Sequence, residues 1–156
     1  MDPKLFVLTE IYYQSGLSPE RHTYYIDQYL FPEDVSGKYL LDVGGADGSV
    51  ALWLRLNRKA RVDVLDEYEG HGSPTANKDR LNDRLKRFSL QDMRVITSDF
   101  RKAAIPDQTY DAIYTRNCLH HVFGRDKSDD KDLIEAMRLF SSWLKPEGRL
   151  LIGEIG

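Results

Sequence analysis

Leu41-Asp42-Val43-Gly44-Gly45-Ala46-Asp47-Gly48-Ser49 carries a short apolar run into a glycine cluster, and Val50 to Leu56 continues it as a dense apolar stretch of helical length. Glycine lets a backbone turn sharply and approach a ligand closely, and a helix opening just after it aims unpaired amides at that ligand. The stretch therefore predicts strand, ligand-binding loop and helix in immediate succession. Its small residues Gly44, Ala46 and Gly48 follow a G-x-A-x-G spacing. A dinucleotide loop needs G-x-G-x-x-G, and no glycine falls where its third would stand. No G-K-[ST] follows, which excludes a phosphate-cradling P-loop.

Working outward, Tyr39 to Val43 is the first of five short apolar runs; the others are Val62 to Leu65, Val95 to Thr97, Ala112 to Thr115 and Leu150 to Ile152. Helical patterns separate them. Residues 74–90 have Ser73 as cap, Pro74 as opener and Leu81, Leu85 and Phe88 on one face. From about Asp129 to Leu144, Leu133, Ala136, Met137, Phe140 and Leu144 form a continuous stripe. Pro146-Glu147-Gly148 reads as a turn. Short strands alternating with helices predict an α/β fold, a doubly wound and mostly parallel sheet of about five strands. Ligands in such sheets bind beyond the carboxyl ends of the strands, where the strand order reverses. Upstream, Asp2-Pro3 and Ser18-Pro19-Glu20 are two helix starts, and Phe31-Pro32 closes the second. Residues 1–37 thus read as an N-terminal helical segment, core-facing and also suited to serve as an aromatic lid, while residues 38–156 form the α/β unit.

Composition narrows the function. The 156 residues carry 22 Lys and Arg against 25 Asp and Glu, a formal charge of −3. That balance provides no broad cationic field, so a nucleic-acid partner is disfavoured. Arg80, Arg84, Lys86 and Arg87 interleave with Asp79 and Asp83, which reads as the solvated face of a helix. The single cysteine, Cys118, excludes an intrachain disulfide and a cysteine-cluster metal site. No apolar run approaches membrane-spanning length and no signal peptide is visible near the first residues, so the expected compartment is the cytoplasm.

The loop resembles the first motif, [DE]-x-G-x-G-x-G, of the class I S-adenosylmethionine-dependent methyltransferases, and the likeness extends over most of residues 38–156. Asp66 closes the second run 18 residues beyond Gly48, as that family's ribose-binding acid does. Ser98-Asp99-Phe100 is similar to its adenine-contacting segment, and Ile105 to Ile113 to its P-x-x-x-[FY]-D lead into the fourth strand. Arg116-Asn117-Cys118-Leu119-His120-His121 resembles the loop leaving that strand, and Leu144-Lys145-Pro146-Glu147-Gly148-Arg149-Leu150 its LKPGG-x-L turn. The resemblance implies a Rossmann-like domain, S-adenosyl-L-methionine as cofactor, and methyl transfer to a small-molecule acceptor. A non-catalytic cofactor-binding module and a nucleic-acid or protein methyltransferase are the alternatives.

On that reading Asp66 accepts two ribose hydroxyls, with Glu67 as its neighbour in reserve. Gly44, Gly45, Ala46, Asp47 and Gly48 form the cofactor loop. Asp42 orders that loop or reaches the cofactor's ammonium. Asp99 accepts from the adenine amino group, while Phe100 covers the adenine face or packs in the core. Arg116 and Asn117 complete the cofactor set. His120 and His121 are the candidate bases, needed only for an acceptor that is protonated in its ground state. Neighbouring histidines point apart, so no metal is expected. Glu154 lines the substrate side or is solvent-exposed. Two departures from the family pattern stand out. Ala46 adds a methyl where the middle glycine belongs, and Glu147 replaces a glycine of the turn. The family also continues past its fifth strand with a helix and a hairpin. The expectation is therefore a truncated form, or a fifth-strand edge paired with a second copy or a partner chain.

Overall fold

The computed structural model describes residues 18–69, 77–120 and 131–153. The helix start at Asp2-Pro3, Ser73, Pro74, His121, Asp129 and Glu154 lie outside them. Helix α1 spans Pro19–Tyr25 and continues as one π-helical turn over Ile26–Leu30. Ser18 caps it as its sequence position predicts, the hydroxyl accepting from the Arg21 amide at 3.2 Å. Then come β1 (Tyr39–Val43), α2 (Ser49–Asn57), β2 (Arg61–Asp66), α3 (Lys78–Arg87), β3 (Val95–Thr97), β4 (Tyr110–Arg116), α4 (Lys131–Trp143) and β5 (Leu144–Gly153). The five strands form one sheet in the order β3-β2-β1-β4-β5, and all four neighbouring pairs are parallel. This is the Rossmann-like order, which reverses between β1 and β4.

Strand residues alternate between two cores, as a period of two demands. Leu40, Val64, Ala112 and Tyr114 face α2, α3 and the segment around Ile26, Leu30 and Phe31. Leu41, Leu65 and Ile113 face the opposite layer, built from Phe100, Ala136, Phe140 and Trp143. The α4 stripe is shifted from the sequence expectation. Leu133 is exposed, Trp143 is the buried end, and Leu144 already belongs to β5.

Two further differences have local causes. The expected turn at Pro146 to Gly148 is absorbed into β5, where the register jumps from Tyr110 opposite Leu144 to Ala112 opposite Arg149. Within that bulge the Lys145 ammonium meets the Asp111 carboxylate at 3.0 Å, and Glu147 takes φ +65. Its position demands a left-handed backbone, the conformation that the glycine expected from the LKPGG-x-L resemblance would adopt without strain. The N-terminal segment is tied to α2 by Asp27, which accepts from the Trp53 indole at 3.1 Å and from Arg58 at 2.7 Å.

Candidate functional site

Strand β1 leaves the sheet at Val43, and Gly44 follows at φ +74 with its amide donating to the Leu65 carbonyl at 2.8 Å. A Cβ on Gly44 would lie 2.2 Å from the Cys118 sulfur, so only glycine lets the segment after β4 close against this loop. Ala46 is also left-handed, at φ +49, the conformation a glycine would adopt without strain. The Ala46 amide donates to Asp66 Oδ2 at 2.9 Å, and its carbonyl accepts from the Tyr68 hydroxyl at 2.8 Å. Asp66 Oδ1 accepts from the Tyr68 amide at 2.9 Å. A carboxylate oxygen accepts two hydrogen bonds, so each Asp66 oxygen retains one acceptor position. The Ser98 amide donates to the Asp66 carbonyl at 3.2 Å, which brings the end of β3 to the same place. Gly44, Asp66 and Asp99 therefore share one rim of the sheet, at the carboxyl ends of its strands.

Beneath the loop is a buried electrostatic cluster. The Asp42 carboxyl is 4% exposed, and burial pushes its pKa up to about 7. Asp66 and Asp47 raise it further, while the Tyr114 hydroxyl and Arg116 oppose the rise. Tyr114 is fully buried and is itself pushed well above its ordinary value by burial and by Asp42. Arg116, at the end of β4, donates to a ring nitrogen of His22 at 3.1 Å and lies 5.1 Å from the centre of the Tyr25 ring. Burial, with Arg116 adding to it, lowers His22 to about 4, so its imidazole is neutral near pH 7. These contacts place α1 over the exit of β4. Asn117, left-handed at φ +50, fixes that exit by donating its amide to the Gly153 carbonyl at 2.7 Å.

Three of the expected cofactor residues, Asp47, Asp99 and Phe100, have partners within the chain. Asp47 is buried, with Oδ1 accepting from the Ser49 amide and hydroxyl at 3.2 and 2.7 Å and Oδ2 facing Arg84 at 3.2 Å. Its carboxylate opens α2 rather than facing the rim. Arg84 corrects the sequence reading outright, being 3% exposed instead of solvated. Its guanidinium crosses from α3 to donate to the Asp47 carbonyl at 2.7 Å. The Asp99 carboxylate is taken up by the amide and guanidinium of Arg101, at 2.6 to 3.1 Å, and stays below the usual carboxylate range. Phe100 is 7% exposed and packs on Phe140 with ring centres 5.8 Å apart. Glu67 and His120 are exposed.

A family model described as "Methyltransferase domain" matches residues 20–156. The chain belongs to that methyltransferase family. Solved structures of methyltransferases and of a [4+2]-cyclase share its fold. Phosphoethanolamine N-methyltransferase 2 of Haemonchus contortus, in complex with phosphomonomethylethanolamine and S-adenosylhomocysteine, superposes with a TM-score of 0.69 at 18% identity, over 97% of this chain and 33% of that one. A candidate sarcosine dimethylglycine methyltransferase from Galdieria sulphuraria gives 0.66 at 21% identity, over 86% of this chain and 47% of that one. The [4+2]-cyclase SpnF gives 0.65 at 20%, over 86% and 44%. The chain thus spans less than half the length of each of these three structures. At such identities the likeness establishes the fold alone. No curated protein matches the chain by sequence.

Four side chains of this methyltransferase domain join the site without having been singled out by motif. Tyr68 clamps the loop, Tyr114 adjoins Asp42, His22 meets Arg116, and Arg84 holds the start of α2. Only Arg84 leaves a sequence signal. It stands three residues after Leu81 and one before Leu85, on the face those leucines bury.

Proposed function

We propose that this methyltransferase domain binds S-adenosyl-L-methionine at the carboxyl rim of β1, β2 and β4 and methylates a small molecule held beneath α1. The observation that carries the reading is the Asp66 carboxylate. It is fixed by two backbone amides at 2.9 Å, directly beside the glycine loop, with one acceptor position per oxygen to spare. That pair of acceptor positions suits the two hydroxyls of a vicinal diol, and charged hydrogen bonds of this type contribute about 1.5–3 kcal/mol each. The missing side chain of Gly44 makes room for Cys118, which packs against the loop. Gly45 leaves no room below it, because a Cβ there would stand 2.6 Å from Val64.

Bound at this rim, the cofactor supplies a methyl group on a sulfonium, whose leaving group is a neutral thioether. The protein's share of the work is alignment and exclusion of water. Asp66 and the loop amides set the position, Asp42 and Tyr114 keep the floor of the loop buried, and α1 covers the exit of β4. His120 follows β4 and remains the candidate base on this chain's described residues. His22 is neutral near pH 7 and accepts from Arg116, so it orients that guanidinium instead of taking a substrate proton.

The test is a melting scan with S-adenosylmethionine and S-adenosylhomocysteine, followed by detection of S-adenosylhomocysteine formed with acceptor mixtures. A raised Tm that Asp66→Ala abolishes supports the reading. No shift at millimolar cofactor refutes it, and binding without product for any acceptor favours the accessory-module alternative.

A further inference from the structure

Beside the cofactor rim an open cleft of about 590 Å³ runs between α1, the π-helical turn and the end of β4. The rings of Tyr24, Tyr25 and Tyr29 line it, together with Arg116 at the end of β4. Tyr24 is 59% and Tyr29 68% exposed, an unusual amount of aromatic surface for one short segment to leave in water. The rings are ordered against one another. Tyr25 and Tyr29 are near-parallel, with an interplanar angle of 24° and centres 6.0 Å apart, and Tyr24 meets Tyr29 edge-on at 71°. A wall of this kind offers flat faces to a flat ligand.

Charge selects among flat ligands. Two guanidiniums, Arg21 and Arg116, line the cleft against one carboxylate, Glu20. His22 adds no charge at neutral pH. The Arg116 guanidinium is held from two sides, by the His22 ring nitrogen and by the face of Tyr25. Among the described residues, none forms an ion pair with it. A cation entering the cleft would find the Tyr25 face already covered by Arg116 and would meet like charge there. An anion would meet a planar donor whose geometry suits a carboxylate.

Building on the methyl-transfer reading, we propose that this cleft is the acceptor site and that it selects a planar aromatic acceptor bearing a carboxylate, with Arg116 as the specificity-determining residue. The tyrosines stack the ring, and Arg116 anchors the carboxylate next to the cofactor rim. In this assignment Arg116 serves the acceptor and not the cofactor, in contrast to what the family resemblance implies for it.

The experiment titrates 4-hydroxybenzoate, phenol and choline into the protein with S-adenosylhomocysteine held at saturation, and measures S-adenosylhomocysteine affinity separately on each variant. Expected is binding of 4-hydroxybenzoate about tenfold tighter than phenol, with choline weaker than both. Arg116→Gln should remove the carboxylate's advantage, Arg116→Lys should restore part of it, and S-adenosylhomocysteine affinity should stay within about twofold. Tyr29→Ala, an exposed position that does not endanger folding, should weaken both aromatic probes equally. Choline binding best, or an unchanged ratio of 4-hydroxybenzoate to phenol in Arg116→Gln, overturns the proposal. So does an Arg116→Gln protein that loses S-adenosylhomocysteine and keeps the ratio. If wild-type protein fails to bind S-adenosylhomocysteine, the cofactor reading falls, and the probe ratio measured without it still decides the cleft's selectivity.

Discussion

Arg84→Met removes the guanidinium that joins α3 to the loop opening α2, and the structure fixes the size of the effect. Arg84 and Asp47 are 3% and 5% exposed, so neither can turn to water when its partner is lost. The substitution deletes a charged hydrogen bond of 2.7 Å to the Asp47 carbonyl and an ion pair of 3.2 Å to its carboxylate. Methionine fills most of the arginine's volume, which keeps the cavity contribution small. What remains is a carboxylate buried without its cation, a change that costs about 3–5 kcal/mol. Asp47 keeps the amide and hydroxyl of Ser49, which places the expectation near the lower end, at about 3 kcal/mol. Asp47→Asn in the Arg84→Met background removes the stranded charge and should recover about 1–2 kcal/mol. Urea unfolding of the wild type, the two single variants and the double variant closes the cycle. A cost below about 1 kcal/mol for Arg84→Met, or no recovery in the double variant, refutes the argument.

Asp42→Asn should change how stability varies with pH. The folded chain holds a proton on Asp42 up to about pH 7, whereas the unfolded chain releases it near 3.8, so this group's contribution falls as pH rises through that window. Between pH 5 and 8 the loss is about 2–3 kcal/mol, and urea unfolding across that range should show it in the wild type relative to the variant; a difference independent of pH contradicts the assignment. His22 works in the opposite sense. Its pKa is lowered from 6.5 to about 4, so its contribution is present above 6.5 and is lost as pH falls towards 4, and His22→Gln should flatten that acid limb in the same assay. Ala46→Gly relieves a left-handed alanine and should stabilise the chain by about 0.5–1 kcal/mol in thermal unfolding; a loss of stability would show that the methyl is packed to advantage.

The sheet was legible because its information is local. Each short apolar run in the sequence is a strand, and the glycine cluster marks where β1 turns into α2. Long-range partners were not legible. Asp63 lies within an apolar run, and nothing near it in sequence shows that Tyr39 and Tyr110 both donate to its Oδ2 at 2.7 Å. Arg84 looked solvated because acids flank it; its register with Leu81 marked the buried face, but its partner, a loop 37 residues earlier in the chain, left no local signal. For Asp99 and Phe100, sequence position alone could not separate a ligand contact from the Arg101 pairing and the core packing that the fold imposes. At the rim itself, Gly44, Ala46 and Asp66 come together as the motif suggested, whereas the contact of α1 with Arg116 joins segments 94 residues apart.

The most direct measurement is a two-dimensional amide NMR titration with S-adenosylhomocysteine. The rim account predicts that the largest shifts cluster at the backbone of Gly44, Gly45, Ala46, Asp66 and Asn117, where β1, β2 and β4 end. Shifts confined to Lys145, Glu147 and Arg149 at the opposite end of the sheet, or none at saturating ligand, would contradict it.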